Sequence, residues 1–480
     1  MNAYPSLVNL AIFAGSIFLS WAVTWSLLRW KGAWGVDRPD GGRKRHDRPI
    51  ARVGGLPIFI ALMTGFLIME LRFHDFMSRW WPLVVSNIII FAVGFIDDLK
   101  PQGAKIKLIG QIGTATILYA FGVSVDTLTN PFGPEHFDLG WWSFPITVMW
   151  LVTVPNIVNL IDGMDGLAAG FGMFLCLTLA VVGHYAKQPE VVTVSVIMGG
   201  ALTGFLYFNF PPARIFLGDG GSYLIGFFIA SVSLFTSNKG TVAAALLVVI
   251  IALGVPILDT LFAVIRRFVR GVPIFRADAE HIHHRLITLG FSQTRALVAI
   301  YSICLVLSLI GISIFWTRAS LPIAGAALFL LGLGAARYLG YVKSWRDIRV
   351  QFRNALSRRR EMLYSGTWGR VLEWEAERCL SLDEFLPLLH LALTRMGFSL
   401  TPGPDFEKMK IPLVTEQTVI LYRPPTTDET ERWLAKADLL APALNLATER
   451  WGPLSGVETI RGQSAAATAP SPSSSDQPSC

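Results

Sequence analysis

The chain has 480 residues, of which 52% are hydrophobic and only 16% charged, against about a quarter charged in an ordinary soluble protein. So much apolar surface excludes a soluble enzyme, a disulfide-knit secreted domain and a disordered chain, and overrides the roughly three domains that length alone suggests. The formal charge of +7 is concentrated in residues 1–52, where eight basic residues face three acidic ones beside a hydrophobic segment. That placement points to anionic lipid head groups or anionic substrates and away from nucleic acid.

In chain order, eleven apolar segments approach the about 20 residues needed to cross a bilayer. They are 7–28, 53–71, 80–97, 107–124, 143–160, 167–186, 191–209, 219–236, 241–265, 296–316 and 321–340. The first is too long for a signal-peptide core and has no clear cleavage site, so it reads as a retained span. Lys and Arg in short loops set the orientation. With the N-terminus outside, the inner loops receive the basic stretch 29–52, then Lys100, Lys105, Lys107, Arg214, Arg266, Arg267, Arg270, Arg276 and Arg285. The outer loops receive only Arg72, Arg79, Lys187, Lys239 and Arg318. The four cysteines, Cys176, Cys304, Cys379 and Cys480, have neither zinc-ligand nor disulfide-framework spacing.

The composition changes beyond Leu339. Residues 341–362, with Lys343, Arg346, Arg349, Arg353 and Arg358 to Arg360, are expected to form a basic juxtamembrane helix on the cytoplasmic leaflet, and read equally well as a stop-transfer flank. Residues 363–460 mix helix and strand signals, including an apolar strand at Thr418 to Tyr422, and are expected to form a small cytoplasmic domain. Residues 461–480, rich in Ala, Ser, Thr and Pro, are expected to be disordered. The expected fold is an all-α polytopic membrane protein. About eleven transmembrane helices make one catalytic domain over 1–340, the N-terminus outside and the C-terminus cytoplasmic, with a small soluble C-terminal α+β region.

An ionisable residue in a span costs about 2.5–3.5 kcal/mol on insertion scales, so each needs a partner or a purpose. Under this topology Asp97 and Asp98 end the third span, and Asn156, Asn159, Asp162 and Asp165 end the fifth. Asp219 opens the eighth, and His281, His283 and His284 follow the ninth. A lone Asp-Asp pair at a helix end is ordinarily a solvated cap; four clusters at one membrane face imply one site. Asn156, Asn159, Asp162 and Asp165 recur every three residues, and three such steps drift about 180° on a straight helix. Gly163 and Gly166 are therefore expected to break the helix and let all four converge. Asp97 and Asp98 point about 100° apart and should do different jobs, one facing a nucleophile and the other a metal or Lys100. Oxygen-only ligands suit Mg²⁺ or Mn²⁺, and cations in the first loop and the histidine loop suit anions, which together describe a phosphate-handling site. Gly218, Gly220 and Gly221 beside Asp219 let backbone N–H groups at a helix start approach phosphate. Asp259 lies deeper and reads as a structural pairing at least as well as chemistry.

Five motifs, in order, resemble the polyprenyl-phosphate N-acetylhexosamine-1-phosphate transferases over residues 31–340. They are Asp37-Arg38-Pro39 with Arg43-Lys44-Arg45-His46 and Pro49 through Gly54-Gly55; Asp97-Asp98; Asn156 through Leu167; Gly218-Asp219-Gly220-Gly221-Ser222; and His281-Ile282-His283-His284-Arg285. The histidine motif is similar to the branch that uses UDP-N-acetylglucosamine to start O-antigen, teichoic acid, arabinogalactan or capsule lipids. The branch acting on UDP-N-acetylmuramoyl-pentapeptide carries a different histidine signature.

The resemblance implies that Asn159 and Asp219 bind Mg²⁺, with Mn²⁺ as a substitute, and that Asp97, paired with Asp98, is the catalytic base. It implies that Asp165, with Asn156 and Asp162, meets the nucleotide sugar. Arg43, Lys44, His46, His281, His283 and His284 then surround the diphosphate and the lipid phosphate. The reaction implied is transfer of N-acetylglucosamine-1-phosphate to polyprenyl phosphate at the cytoplasmic face of a bacterial inner membrane, releasing UMP. Its partners are the UDP-N-acetylhexosamine, polyprenyl phosphate and membrane lipids, with room for a second copy and for downstream glycosyltransferases at the C-terminal region. Competing readings are a cation-coupled transporter, a membrane scaffold, and the same transfer from UDP-N-acetylmuramoyl-pentapeptide. Within the site, Asp97 and Asp98 as metal or lysine partners and Asp219 as a covalent nucleophile also stay open.

Overall fold

A computed structural model of the chain describes residues 4–30, 36–37, 50–73, 75–129, 136–235, 248–270, 282–313, 320–338, 348–401, 406–413, 417–424, 430–454 and 459–461. Contacts divide the chain into two units, Met1–Ala263 with Asp278–Lys343, and Val264–Ala277 with Ser344–Cys480.

The first unit is helical: α1 (Tyr4–Arg29), α2 (Gly55–Arg72), α3 (Phe76–Leu99), α4 (Ala104–Ala120), α5 (Ser143–Ile161), α6 (Leu167–Tyr185), α7 (Pro189–Asn209), α8 (Gly218–Phe235), α9 (Gly254–Arg270, assigned to this unit only as far as Ala263), α10 (Ile282–Thr288), α11 (Gln293–Ser313) and α12 (Ser320–Tyr338). Among the described residues, eight helical stretches are long and apolar enough to cross a membrane: Leu7–Arg29, Gly55–Arg72, Phe76–Leu99, Gly140–Ile161, Leu167–Tyr185, Pro189–Asn209, Gly218–Phe235 and Gln293–Ser313. The protein is thus a multi-pass membrane protein with eight such helices where eleven spans were expected. Of the other three expected segments, one holds α4, 17 residues with Lys105 and Lys107 in its first turn, and the others hold the apolar stretches Gly254–Ile265 and Pro322–Gly334, with residues 241–247 and 339–340 outside the described residues. Two short antiparallel pairs interrupt the helical pattern, β1 (Val36–Asp37) with β2 (Ile50–Ala51) and β3 (Thr127–Thr129) with β4 (His136–Asp138).

Helix α8 is the centre of this unit, and every residue from Gly218 to Leu234 is buried. A helix apolar on all sides belongs inside a bundle, and small residues along it let neighbouring backbones come close. Gly221 meets Gly55 of α2, the Asp219–Gly220 backbone meets Gly94 of α3, and Gly226 meets Pro155 of α5; a Cβ on Gly55, Gly94 or Gly226 would collide with that backbone. The entry to α8 is tied to the entry to α2 by backbone bonds. Phe216 N–H donates to Ala51 C=O at 2.9 Å, Gly54 N–H to Phe216 C=O at 3.0 Å and Gly55 N–H to Leu217 C=O at 2.8 Å. Arg52 is thereby carried to the start of α8.

The second unit contains α13 (Ile348–Arg378), α14 (Leu382–Met396), β5 (Glu407–Pro412), β6 (Gln417–Arg423), α15 (Thr430–Trp451) and β7 (Thr459–Arg461). The strands form an antiparallel sheet in the order β5-β6-β7, with Met409 opposite Leu421 and Ile411 opposite Val419. Leu372, Phe385, Leu389, Leu393, Val419, Leu421, Leu440 and Leu444 fill its core. Thr418 to Tyr422 lies within β6. Helix α13 runs unbroken through position 362, where the sequence suggested a boundary, because Met362, Ser365, Leu372 and Ala376 recur on one buried face. The tail beyond Arg461 lies outside the described residues.

Candidate active site

The polar centre is built where α8 begins. Gly218 has φ +77°, a left-handed conformation that glycine adopts without strain, and a Cβ there would strike the Arg52 carbonyl and the Asp98 carboxylate. The turn presents the first free N–H groups of α8 to Asp98: Asp219 N–H donates to Asp98 Oδ1 and Gly220 N–H to Asp98 Oδ2, each at 2.8 Å. A carboxylate at a helix N-terminus satisfies orphan donors and complements the helix dipole. Both oxygens of Asp98 are thus spent on holding the helix start.

Asp219 turns its own carboxylate to three partners. Lys107 Nζ is 2.8 Å from its Oδ2, Asn159 Nδ2 donates to its Oδ1 at 3.1 Å, and Arg52 Nη2 lies 3.7 Å from Oδ1. The same Lys107 Nζ is 3.1 Å from Asp97 Oδ2, and Asp97 Oδ1 accepts the Gln102 N–H at 2.6 Å. The 100° divergence of the adjacent acids separates their tasks: Asp97 orients a lysine, and Asp98 caps a helix. The lysine is Lys107, one turn into α4, rather than Lys100.

The Asn156 to Asp165 series splits. Asn159 reaches Asp219 and also donates to Ser222 Oγ at 2.9 Å. Asp162 ends α5; burial first, then the Asp219 and Asp98 charges, push its carboxyl well above the ordinary aspartate range, with Arg52 opposing. Asp162 accepts no hydrogen bond among the described residues. Asn156 instead pairs α5 with α4, its Nδ2 donating to Gln111 Oε1 at 2.5 Å. Asp165 Oδ2 accepts the Ala213 N–H at 3.0 Å, which ties its loop to the segment after α7. The four do not converge because α5 stays helical through Ile161 and the left-handed residue Gly166 comes only after Asp165.

That loop is fixed from two sides. Gly166 N–H donates to Asn209 Oδ1 at 3.0 Å, and Gly166 C=O accepts the Tyr301 hydroxyl at 2.5 Å. Asn209 Nδ2 in turn donates to Ile215 C=O at 2.9 Å, so one buried asparagine braces both strands of the approach to Asp219. Asp259 Oδ1 accepts the Ile282 N–H at 2.8 Å, a structural link that holds the first residue of α10, the helix carrying His283 and His284. Arg43, Lys44, His46 and His281 lie outside the described residues, as do the side chains of His283 and His284.

Sequence reading missed Lys107, Arg52, Gln111, Asn209 and Tyr301 as site residues. Lys107 and Arg52 were counted only as topology charges, though a lysine opening an apolar run has a long stem suited to reaching a polar neighbour. Asn209 closes the seventh span in Phe208-Asn209-Phe210-Pro211, a polar residue at a span end that the pattern could have flagged. Gln111 and Tyr301 carry no local signal.

The donor set suits a hard cation. Among the described residues no three His, Cys, Asp or Glu side chains group as a metal cage, but Mg²⁺ ordinarily takes one or two carboxylates and fills its other positions with water and phosphate oxygens. Asp219, the Asn159 amide beside it and nearby Asp162 meet that requirement.

Residues 80–237 match glycosyl transferase family 4, a range that holds Asp97, Asp98, Lys107, Asn159 and Asp219. The chain is 39% identical over 277 residues to a probable undecaprenyl-phosphate N-acetylglucosaminyl 1-phosphate transferase of Bacillus subtilis, covering 58% of this chain and 76% of the relative. It is 33% identical over 289 residues to a decaprenyl-phosphate N-acetylglucosaminephosphotransferase of Mycobacterium tuberculosis, covering 54% and 70%. It is 29% identical over 288 residues to a phospho-N-acetylmuramoyl-pentapeptide-transferase of Listeria welshimeri, covering 57% and 87%. The chain therefore belongs to glycosyl transferase family 4, the family of membrane transferases that its five motifs resemble.

Proposed function

We propose that the chain transfers N-acetylglucosamine-1-phosphate, or a related N-acetylhexosamine-1-phosphate, from its UDP-sugar to polyprenyl phosphate, releasing UMP. On this reading all eleven apolar segments lie in the bacterial inner membrane, the N-terminus is outside, and the site faces the cytoplasm. The observation that carries it is the convergence of Lys107, Asn159 and Arg52 on Asp219 at the capped start of a buried helix. Acids that share a lysine, an arginine, an amide and helix N–H groups suit a site that must bring two anions together.

Both substrates are anionic, since a phosphomonoester carries about −1.5 to −2 charges at neutral pH and the donor is a diphosphate. Phosphoryl transfer depends mainly on positioning and charge neutralisation. A lipid-phosphate oxygen forms a bond to the β-phosphorus of the donor, the bond from that phosphorus to the bridging oxygen breaks, and UMP leaves with the electron pair. The sugar–phosphate bond stays intact. Lys107 and Arg52 spread the negative charge. Asp97 holds Lys107 in place, a role better suited to a carboxylate with both oxygens engaged than proton abstraction from a phosphate that is already mostly ionised. Asp98 positions Asp219 through the helix backbone. Asp219 and Asn159 would hold Mg²⁺, which when bound neutralises the diphosphate and the leaving group.

The test is a detergent assay with polyprenyl phosphate, Mg²⁺ and a panel of UDP-sugars, following UMP. Release with UDP-N-acetylglucosamine is expected; none from any UDP-N-acetylhexosamine overturns the reading. UDP-N-acetylmuramoyl-pentapeptide belongs in the panel, because the Listeria relative acts on the N-acetylmuramoyl-pentapeptide.

A further inference from the structure

Helix α13 has two unlike faces. Met362, Ser365, Leu372 and Ala376 are buried in the core of its unit. On the opposite side Leu356, Leu363, Tyr364, Val371 and Trp374 stand in water, Leu363 at 65% exposure and Trp374 at 71%. At 1.5 Å per residue this stripe is about 27 Å long. Arg353, Arg360, Arg370 and Arg378 are exposed along the same side. The helix's four glutamates fall to the flanks, and two are taken: Glu361 by Arg432 and Lys436, and Glu375 by Arg378.

An exposed apolar stripe of this length marks an interaction surface, and its chemistry selects the partner. Tryptophan, tyrosine and leucine alternating with arginines, with no acid in the row from Arg353 to Trp374 and Glu377 only beyond it, is the pattern of a helix lying in a lipid head-group interface, where arginine stems run along apolar surface and their heads reach phosphates. A protein partner calls for no such one-signed row. Only nine residues, 339–347, separate the end of α12 at Tyr338 from Ile348, and they include Lys343 and Arg346. Nine residues reach at most roughly 30 Å, so a chain leaving an apolar helix delivers α13 close to the bilayer surface. The sequence reads 341–362 equally as a membrane-facing helix or a stop-transfer flank; residues 341–347 lie outside the described residues, and the exposed stripe runs from Leu356 on to Trp374.

We propose that α13 is an interfacial helix that lays the Leu356 to Trp374 stripe on the anionic head groups of the leaflet where α12 ends. The inference rests on the membrane reading of the first unit and not on the transfer reaction.

The full chain, with Cys480→Ser and Leu363→Cys bearing a nitroxide label, tests it in nanodiscs; the three remaining cysteines are buried. Accessibility to oxygen against a water-soluble nickel complex is read in phosphatidylcholine alone and in phosphatidylcholine mixed with phosphatidylglycerol. A severalfold rise in the oxygen-to-nickel ratio on adding phosphatidylglycerol is expected. Arg353→Glu, Arg360→Glu and Arg370→Glu together should abolish that rise while the thermal unfolding midpoint stays put. A label equally open to nickel in both discs overturns the proposal. So does a label shielded in both discs and in detergent with spin–spin broadening, which would make a second copy the occupant.

Discussion

Helices α8 and α13 spend their charges in opposite ways. In α8 one carboxylate sits at the very start of a helix buried from Gly218 to Leu234, and lysine, arginine and amide partners all come to it from other elements. In α13 the arginines are spread along one exposed side, between apolar residues that lie outside the core of their own unit. A charge buried in a bundle must be matched by partners fixed in three dimensions, and such matched charge is poised for chemistry on an anion. Charge distributed along a wet face binds surfaces.

This contrast can be broken from the strong end downward. Asp219→Ala should abolish UMP release, by about a thousandfold or more, with no rescue by excess Mg²⁺ or Mn²⁺; surviving turnover would move the chemistry elsewhere. Lys107→Met should lower kcat about a hundredfold, and adding Asp97→Asn should cost little more, because a residue that acts through a lysine has nothing to orient once it is gone. Asp97→Asn alone should lose rate evenly across pH, whereas a loss confined to acid pH would restore the general-base role.

Asp98→Asn should be felt first in stability. It sets an amide N–H₂ against one of two backbone N–H groups, and thermal unfolding should show a loss of about 1–3 kcal/mol along with reduced kcat. Asp259→Ala removes the acceptor for Ile282 N–H, a loss at least that of a helix cap, about 1 kcal/mol, and should raise the KM for the UDP-sugar severalfold while Asp259→Asn largely preserves it. At the weak end, Trp374→Ala should change stability in detergent by no more than about 0.5 kcal/mol, since its ring is already in water; a larger loss would mean that the stripe is packed.

The acids of the candidate site were legible in the sequence because carboxylates and amides at the ends of apolar runs stand out against hydropathy. Asp97, Asp98, Asn159 and Asp219 are found that way. Lys107 was visible too, but only as a charge on one side of a membrane, since nothing local tells a lysine that faces lipid phosphate from one that faces two aspartates. Asp165 shares the period of Asn159 and Asp162, but the chain leaves the helix after Ile161 and Asp165 meets the Ala213 backbone. The small hairpins were missed because strands of two or three residues carry no periodicity, and α13 outran its expected end because its buried face continues past the basic stretch.

Sequence alone determined that this is an apolar membrane chain, where its helices lie, and that its scarce carboxylates gather at helix ends, because hydropathy and charge are properties of neighbouring residues. Tertiary structure decided which groups meet. Lys107 is 10 residues from Asp97 and 112 from Asp219, and Asp98 lies 121 residues before the helix start it caps. Those meetings depend on how closely α2, α3 and α5 approach α8, which glycines at the crossings permit and no local pattern encodes.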